Sequence, residues 1–330
     1  MALFVSMVAC GCGLKKEFVL TGKTMGTTWR VKVVAGYFDD SKSLDTAIKT
    51  RLQKINDSMS LYNKGSEIIR LNEHQSSDKF RVSNDFMTVL KAGKKIYEQT
   101  NGAWDATIRP LVNLWGFGDN DRTQHVPDKR RIKTELSHVS FDSIKILDDH
   151  FLTKTDPAIT LDFGSIAKGF GVDEIAGVIR EKGYSDFIVE IGGEVYASGT
   201  RMDGNRWRIG INMPDEESGF NDVYKVIIIS EKAVATSGNY RNFFKQKEKV
   251  YSHVIDPRTG MPCDNGVVSA SVIAESCTYA DGLATALMVM GHVEGIDFVN
   301  KTKNVECLII VKEKDGSLTN YFSTHFNNES

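Results

Sequence analysis

Apolar positions along the chain follow two periods. Residues 18–20 and 27–35 have the apolar, β-branched character of strands, with the turn-forming Gly22 and Met25-Gly26 between them. Leu44, Ile48, Leu52, Ile55 and Met59 then recur at spacings of three and four, which predicts an amphipathic helix over about 41–59. A second helix is expected over about 84–99. Phe86, Leu90 and Tyr97 form its apolar side, Ser83 is placed to cap it, and Thr100-Asn101-Gly102 ends it. Gly116-Phe117-Gly118-Asp119-Asn120-Asp121 reads as a polar loop.

From Ser140 onward the pattern is mostly that of strands. Short ones are expected at 144–147, 151–154 and 158–161, the last running through a glycine-bearing turn into a helix over about 165–182. Further strands are expected at 187–190, 207–212, 223–229, 250–255, 267–274 and 307–311. A helix over about 278–290 closes at Gly291, and another covers about 293–300. Strand series interrupted by single helices indicate an α+β architecture, mixed sheets with packed helices, more than a regular βαβ repeat. No internal repeat, low-complexity stretch or dividing linker is evident, so residues 18–330 are expected to form a single domain.

Composition narrows the classes of function. The 330 residues are 41% hydrophobic and 25% charged, the balance of a folded globular chain with a core of good size. Lys+Arg 41 against Asp+Glu 43 gives a net charge of −2, so no basic field is available to hold nucleic acid by its phosphates. No internal run approaches the roughly 18 apolar residues of a membrane-spanning helix. Cys263, Cys277 and Cys307 are scattered, without a CxxC pair or a His at zinc-finger spacing, and read as small core residues.

The first residues differ from the rest. Residues 1–14, MALFVSMVACGCGL, carry no charge before Lys15-Lys16-Glu17. Met7-Val8-Ala9-Cys10 resembles a bacterial lipoprotein cleavage box, and Cys12 after Gly11 is a second candidate for acylation. The positively charged n-region of a signal peptide is missing, and the alternative is an apolar N-terminus of a cytoplasmic protein. An exposed apolar run with two cysteines is otherwise a liability, so residues 1–17 are read as a lipoprotein-like tether.

Four motifs carry candidate chemistry, each with two readings. Asp281 and Thr285 are four apart and share one face of a helix, a spacing that suits a hard cation such as Mg²⁺. The same pair also reads as an Asp favoured by the helix dipole and a Thr bonded to its own backbone. In Leu161-Asp162-Phe163-Gly164-Ser165-Ile166-Ala167-Lys168-Gly169, a strand feeds a turn and a helix whose free N–H groups could meet an anion. Lys168 could meet a phosphate there or be a solvated first-turn lysine. His253, just before the turn Asp256-Pro257-Arg258-Thr259-Gly260, is a capable proton acceptor or a structural strand histidine. Gly192-Gly193-Glu194 and Thr236-Ser237-Gly238-Asn239-Tyr240 would let backbone approach a flat or anionic ligand, or are plain turns.

Taken in order, these motifs join Met25-Gly26-Thr27, the stretch Met59-Ser60-Leu61-Tyr62, and Trp104-Asp105-Ala106-Thr107 followed by Trp115-Gly116-Phe117-Gly118. With LDFGSIAKG, IGGE, ATSGNY, SHVIDPRTG and ADGLATA downstream, the succession resembles the ApbE family of FAD:protein FMN transferases over nearly the whole chain after the N-terminal segment. The resemblance implies an α+β, ApbE-like fold and Mg²⁺-dependent transfer of FMN from FAD to a Thr or Ser hydroxyl of a partner protein, with release of AMP. It implies Asp281 and Thr285 as Mg²⁺ ligands with an oxygen from the LDFGSIAKG turn at Ser165. His253 would act near the phosphates as a base, with Asp281 able to share that task. Met25, Ser60, Leu61, Tyr62, Asp105 and Lys168, with His253 and Val254, match positions lining the flavin or adenosine site. Where some members carry an acidic residue, this chain has Lys168. The family is often periplasmic and tethered to the inner membrane, with flavin-carrying subunits of membrane electron-transport complexes as acceptors. An FAD pyrophosphatase yielding FMN and AMP, and a non-catalytic flavin-binding lipoprotein, are the alternatives.

Overall fold

The computed structural model describes residues 14–118, 125–215, 222–240, 242–247 and 249–326. Its frame is an eight-stranded antiparallel sheet whose strands lie side by side in chain order. They are β1 (Lys15–Thr24), β2 (Thr27–Gly36), β3 (Phe187–Ile191), β4 (Glu194–Ser198), β5 (Lys232–Gly238), β6 (Val267–Ala274), β7 (Glu306–Lys312) and β8 (Leu318–Phe322). The α+β class expected from the pattern holds, with every strand pair in this sheet antiparallel. β1 begins at Lys15, paired with Gly36, so residues 15–17 of the expected tether lie in the sheet. Cys10 and Cys12 lie outside the described residues, as does the 119–121 part of the expected polar loop.

The helices enter as insertions between neighbouring strands. Between β2 and β3 come α1 (Lys42–Met59), α2 (Glu67–Glu73), α3 (Asn84–Gln99), α4 (Arg109–Leu114), α5 (Lys129–Leu136) and α6 (Ala167–Glu181). α7 (Cys277–Asn300) joins β6 to β7. Leu44, Ile48, Leu52, Ile55 and Met59 are all buried, as the helical period of α1 requires, and Ser83 caps α3 by accepting from Phe86 N. One face of the sheet packs on α1, α6 and α7. The other is covered by a hairpin of Trp207–Asn212 paired with Val223–Ile229. Strand alternation decides which side each residue serves: Tyr196 packs on the helical side, and Val195 and Ala197 pack under the hairpin.

Two expectations change and one holds. Residues 158–161 form no strand. The Asn72 side chain instead accepts from Leu161 N at 2.7 Å and donates to its carbonyl at 2.9 Å, taking both groups a neighbouring strand would have bonded. The buried Lys154 ammonium fastens the same stretch by donating to the carbonyls of Leu71, Pro157 and Ile159. The strand expected at 250–255 is split into Lys249–Ser252 and Ile255–Asp256, because Ser252 Oγ accepts from Val254 N and turns the chain at His253. The two helices expected after 278 are both present and meet at Gly291, whose backbone (φ 80°, ψ 174°) is not helical; together they are α7.

By length and composition α7 is apolar enough to cross a membrane, contrary to the expectation that no internal segment is. Its Ala, Gly and Leu residues, with Met288, Val289 and Val299, are buried against the sheet and against α6, and Val293 is exposed. That is the reason for its composition here: a helix enclosed on most sides is apolar on most sides.

Candidate active site

A cavity of about 280 Å³ opens where the β1–β2 turn, the C-terminal end of α1, α4 and the start of α6 meet. Met25, Ser60, Leu61, Tyr62 and Lys168, five of the residues singled out from the sequence, line it together. Met25 and Gly26 form a two-residue hairpin loop, both at positive φ (49° and 74°), between the paired Thr24 and Thr27. A methionine in that region is strained by about 1 kcal/mol or more, and the loop points it into the cavity. Ser60 ends α1, and its Oγ accepts from Tyr62 N and Asn63 N at 3.3 Å each, which fixes the bend carrying Leu61 and Tyr62.

Lys168 joins the cavity wall to a charged cluster where α6 crosses α7. The helices approach closely at Gly169, where a Cβ would stand 2.3 Å from the Cys277 carbonyl oxygen and 2.8 Å from Asp281 Cβ. No side chain of its own caps α6; the Asp281 carboxylate, 3% exposed, accepts from Gly169 N at 2.9 Å instead. Lys168 Nζ stands 3.6 Å from Asp281 Oδ1 and 3.4 Å from Glu194 Oε1. Burial opposes the Lys168 charge, but Asp281 and Glu194 outweigh it and hold the ammonium above the usual lysine range. Burial pushes the Glu194 carboxyl up, Lys168 pulls it down, and Asp281 adds to the rise, leaving it above the usual carboxylate range.

His253 sits beside this cavity, its ring edge-on to Phe117 with centroids 6.3 Å apart, and Phe117 is part of the cavity wall. His253 Nδ1 lies 3.0 Å from the Asn242 carbonyl oxygen. A carbonyl only accepts, so Nδ1 carries the proton and Nε2 is left with its lone pair. Burial lowers the imidazole pKa below 6.5, partly offset by the bond to Asn242, so the ring is neutral at neutral pH. Val254 is buried and packs into the main core.

The remaining candidate residues are placed differently. Asp105 does not line the cavity. Its Oδ1 accepts from Thr107 N and Oγ1, and its Oδ2 from Phe141 N. Both its oxygens are engaged, and it caps the 3₁₀ turn Ala106–Ile108 from which α4 starts. Burial nevertheless raises its pKa. Its effect on the cavity is indirect, through the placing of Arg109 and Asn113, both in the lining. Ser165 Oγ accepts from Trp104 Nε1 at 2.9 Å, and Thr285 Oγ1 is 2.9 Å from Ser237 Oγ on β5.

Sequence reasoning gives no role to Glu194, Asp162, Arg109, Asn113 or Phe117, all of which the fold brings to this place. Asp162 lies inside the LDFGSIAKG motif, and its Oδ1 accepts from Gly164 N at 2.7 Å. Glu194 reaches the site because Gly192-Gly193, both at positive φ, turn β3 directly into β4. IGGE therefore serves as a turn, and Thr236, Ser237 and Gly238 lie within β5.

Among the described residues no three His, Cys, Asp or Glu side chains are grouped as a metal cage. The donors in question are one carboxylate, Asp281, and the hydroxyls of Thr285 and Ser165. All are oxygens, and each hydroxyl keeps acceptor capacity beyond the bond it makes. One carboxylate with hydroxyls fits Mg²⁺, which keeps waters and substrate phosphates in its shell and needs no all-protein cage.

Comparison with known proteins agrees with this geometry. The family model described as "ApbE family" matches residues 25–309. The chain is 42% identical to the FAD:protein FMN transferase of Vibrio cholerae serotype O1, over 98% of this chain and 96% of that protein. The solved structure of the flavin transferase ApbE from Vibrio cholerae superposes with a TM-score of 0.86 at 40% identity, covering 95% of this chain and 99% of that one. The apo form of the Pseudomonas stutzeri flavinyl transferase ApbE gives 0.86 at 32% identity, over 94% and 96% of the two chains. A match spanning the cavity, the α6–α7 crossing and the bend at His253 means that this chain belongs to the ApbE family.

Proposed function

We propose that this protein transfers FMN from FAD to a Thr or Ser hydroxyl of a partner protein in a Mg²⁺-dependent reaction, releasing AMP. The observation that carries this reading is that Lys168, in the lining of a cavity walled by Met25, Leu61, Tyr62 and Phe117, stands beside the buried Asp281 and Glu194. A flat apolar ring and a diphosphate need those two environments side by side. The relatives' names point the same way.

In this reading the acceptor hydroxyl oxygen attacks the phosphorus on the riboflavin side of FAD. A new P–O bond forms, the bond between that phosphorus and the bridging oxygen breaks, and AMP leaves with the bridging oxygen. His253 Nε2 takes the hydroxyl proton, its lone pair kept available by the Nδ1–H bond to Asn242. Lys168 offsets the phosphate charge. Asp281, Thr285 and Ser165 would hold Mg²⁺, which when bound neutralises the diphosphate and polarises its phosphorus.

Residues 15–330 are read as the single catalytic domain, since β1 starts at Lys15, and the residues before it as a tether lipidated at Cys10 or Cys12. That tether would hold the protein at the periplasmic side of the inner membrane. Flavin-carrying subunits of membrane electron-transport complexes are the corresponding acceptors.

The test is incubation with FAD and Mg²⁺, with and without a candidate acceptor subunit, followed by mass spectrometry of the acceptor. One added FMN on a Thr or Ser is the expected result. Free FMN and AMP formed equally without acceptor would replace transfer by hydrolysis, and FAD intact for hours under both conditions would leave a binding protein only.

A further inference from the structure

Glu194 is a buried carboxyl group at this site to which the proposed reaction gives no task. It is 3% exposed, and its Oε2 is enclosed with no hydrogen-bond partner among the described residues. A carboxylate so placed is costly unless it is paired, and Lys168 is the cation beside it. The ammonium stands 3.4 Å from Glu194 and 3.6 Å from Asp281, longer in both cases than the about 2.7–2.9 Å of a tight charge-assisted bond. It is shared between two carboxylates and bound closely to neither. The lysine stem runs past Gly192, where an added Cβ would come within 3.3 Å of Lys168 Cδ and 2.8 Å of Thr27 Cγ2. The turn that brings in Glu194 therefore also makes room for the lysine.

On the reading of this place as an FAD and Mg²⁺ site, on which the following rests, Asp281 is an ion ligand. An ammonium and a divalent cation repel each other when both press on one carboxylate. We infer that Glu194 is a positioning residue that takes over the Lys168 ammonium when an ion engages Asp281. The free Oε2 is the acceptor that move requires. Without Glu194, Lys168 has Asp281 as its one buried counter-charge and competes with the ion for it.

The test uses the full chain, with Glu194→Gln, Lys168→Met and the double variant. Two readouts are taken: FAD affinity, by quenching of flavin fluorescence in EDTA and at rising Mg²⁺, and the Mg²⁺ dependence of FMN transfer. In the Lys168 background, Glu194→Gln should raise the Mg²⁺ concentration for half-maximal effect about tenfold, with the smaller part of the change in kcat. In the Lys168→Met background the same substitution should leave that concentration unchanged. An equal rise in both backgrounds would mean that Glu194 attracts the ion directly by its charge, and no rise in either would remove its role; each overturns the inference. If Glu194→Gln fails to fold, Glu194→Asp keeps the charge one methylene further back and should give an intermediate rise, whereas an unchanged requirement again overturns the inference. A wild-type protein whose FAD binding and transfer both ignore Mg²⁺ would reject the site reading itself, before Glu194 is in question.

Discussion

In the proposed reaction the chemistry turns on His253 and Asp281, and each makes a measurable claim. Burial lowers the His253 pKa, so in the free protein it is neutral through neutral pH and gains its proton only below 6.5. As a base, it should keep kcat/KM level from about pH 8 downward and let it fall only on the acid side of that value. His253→Gln should lower transfer by about a hundredfold or more and abolish the acid limb, measured as initial rates between about pH 5 and 8. A limb centred above 6.5 would contradict the burial seen here. The linkage has the same sign: the unfolded chain binds this proton more readily, so the stability owed to neutral His253 is lost as pH falls through 6.5 toward the lowered folded value. Asp281→Ala should stay folded and lose Mg²⁺-dependent turnover about a hundredfold or more, checked by transfer rate alongside circular dichroism. Both residues stand in compact sequence motifs, which makes them legible from the amino-acid sequence alone. Glu194 is not, because its partners Lys168 and Asp281 lie far from it in the chain and meet it only through the fold.

Elements fix where these residues stand, and the α6–α7 crossing is a tight constraint on them. A methyl group at position 169 would collide with the Cys277 backbone and with Asp281 Cβ, neither of which can swing away. Asp173 of α6 binds the first turn of α7 as well, accepting from Ser276 Oγ, Cys277 N, and Thr278 N and Oγ1. Gly169→Ala should therefore force the helices apart. The expected cost is about 1–3 kcal/mol of stability, with a loss of transfer larger than stability alone explains, read by urea denaturation and kinetics on the folded fraction. α1, α3 and α6 are visible in the sequence from their periods and caps. β5, KAVATSG, is only partly so: Thr, Ser and Gly at its end have the character of a turn, and it is their backbone pairing with Ser271, Ala270 and Ser269 of β6 that makes them strand residues. The missing strand at 158–161 has the converse cause, since its apolar run does mark burial but Asn72 takes the strand's bonds.

Across the whole molecule, the eight-stranded sheet sets the side of the cavity apart from the layer under the hairpin. Its helical side carries Glu194 on β4 and Ser237 on β5, both reaching toward α6 and α7. Its other side carries Val195, Ala197, Val234, Ile273, Leu308 and Ile310 against the hairpin and shares no residue with the cavity. Trp207 is the largest side chain of that layer, 3% exposed, with its Nε1 donating to the Ser198 carbonyl at 2.9 Å. Trp207→Leu removes ring volume and leaves that carbonyl without its donor. It should lower the unfolding free energy by about 2–4 kcal/mol. FAD affinity and KM, measured at a temperature where the variant is still folded, should stay within about twofold of the parent, because distant sites without shared partners act nearly independently. A fall in FAD affinity of the folded variant would mean that the sheet transmits strain from one face to the other and that the two layers work as one unit.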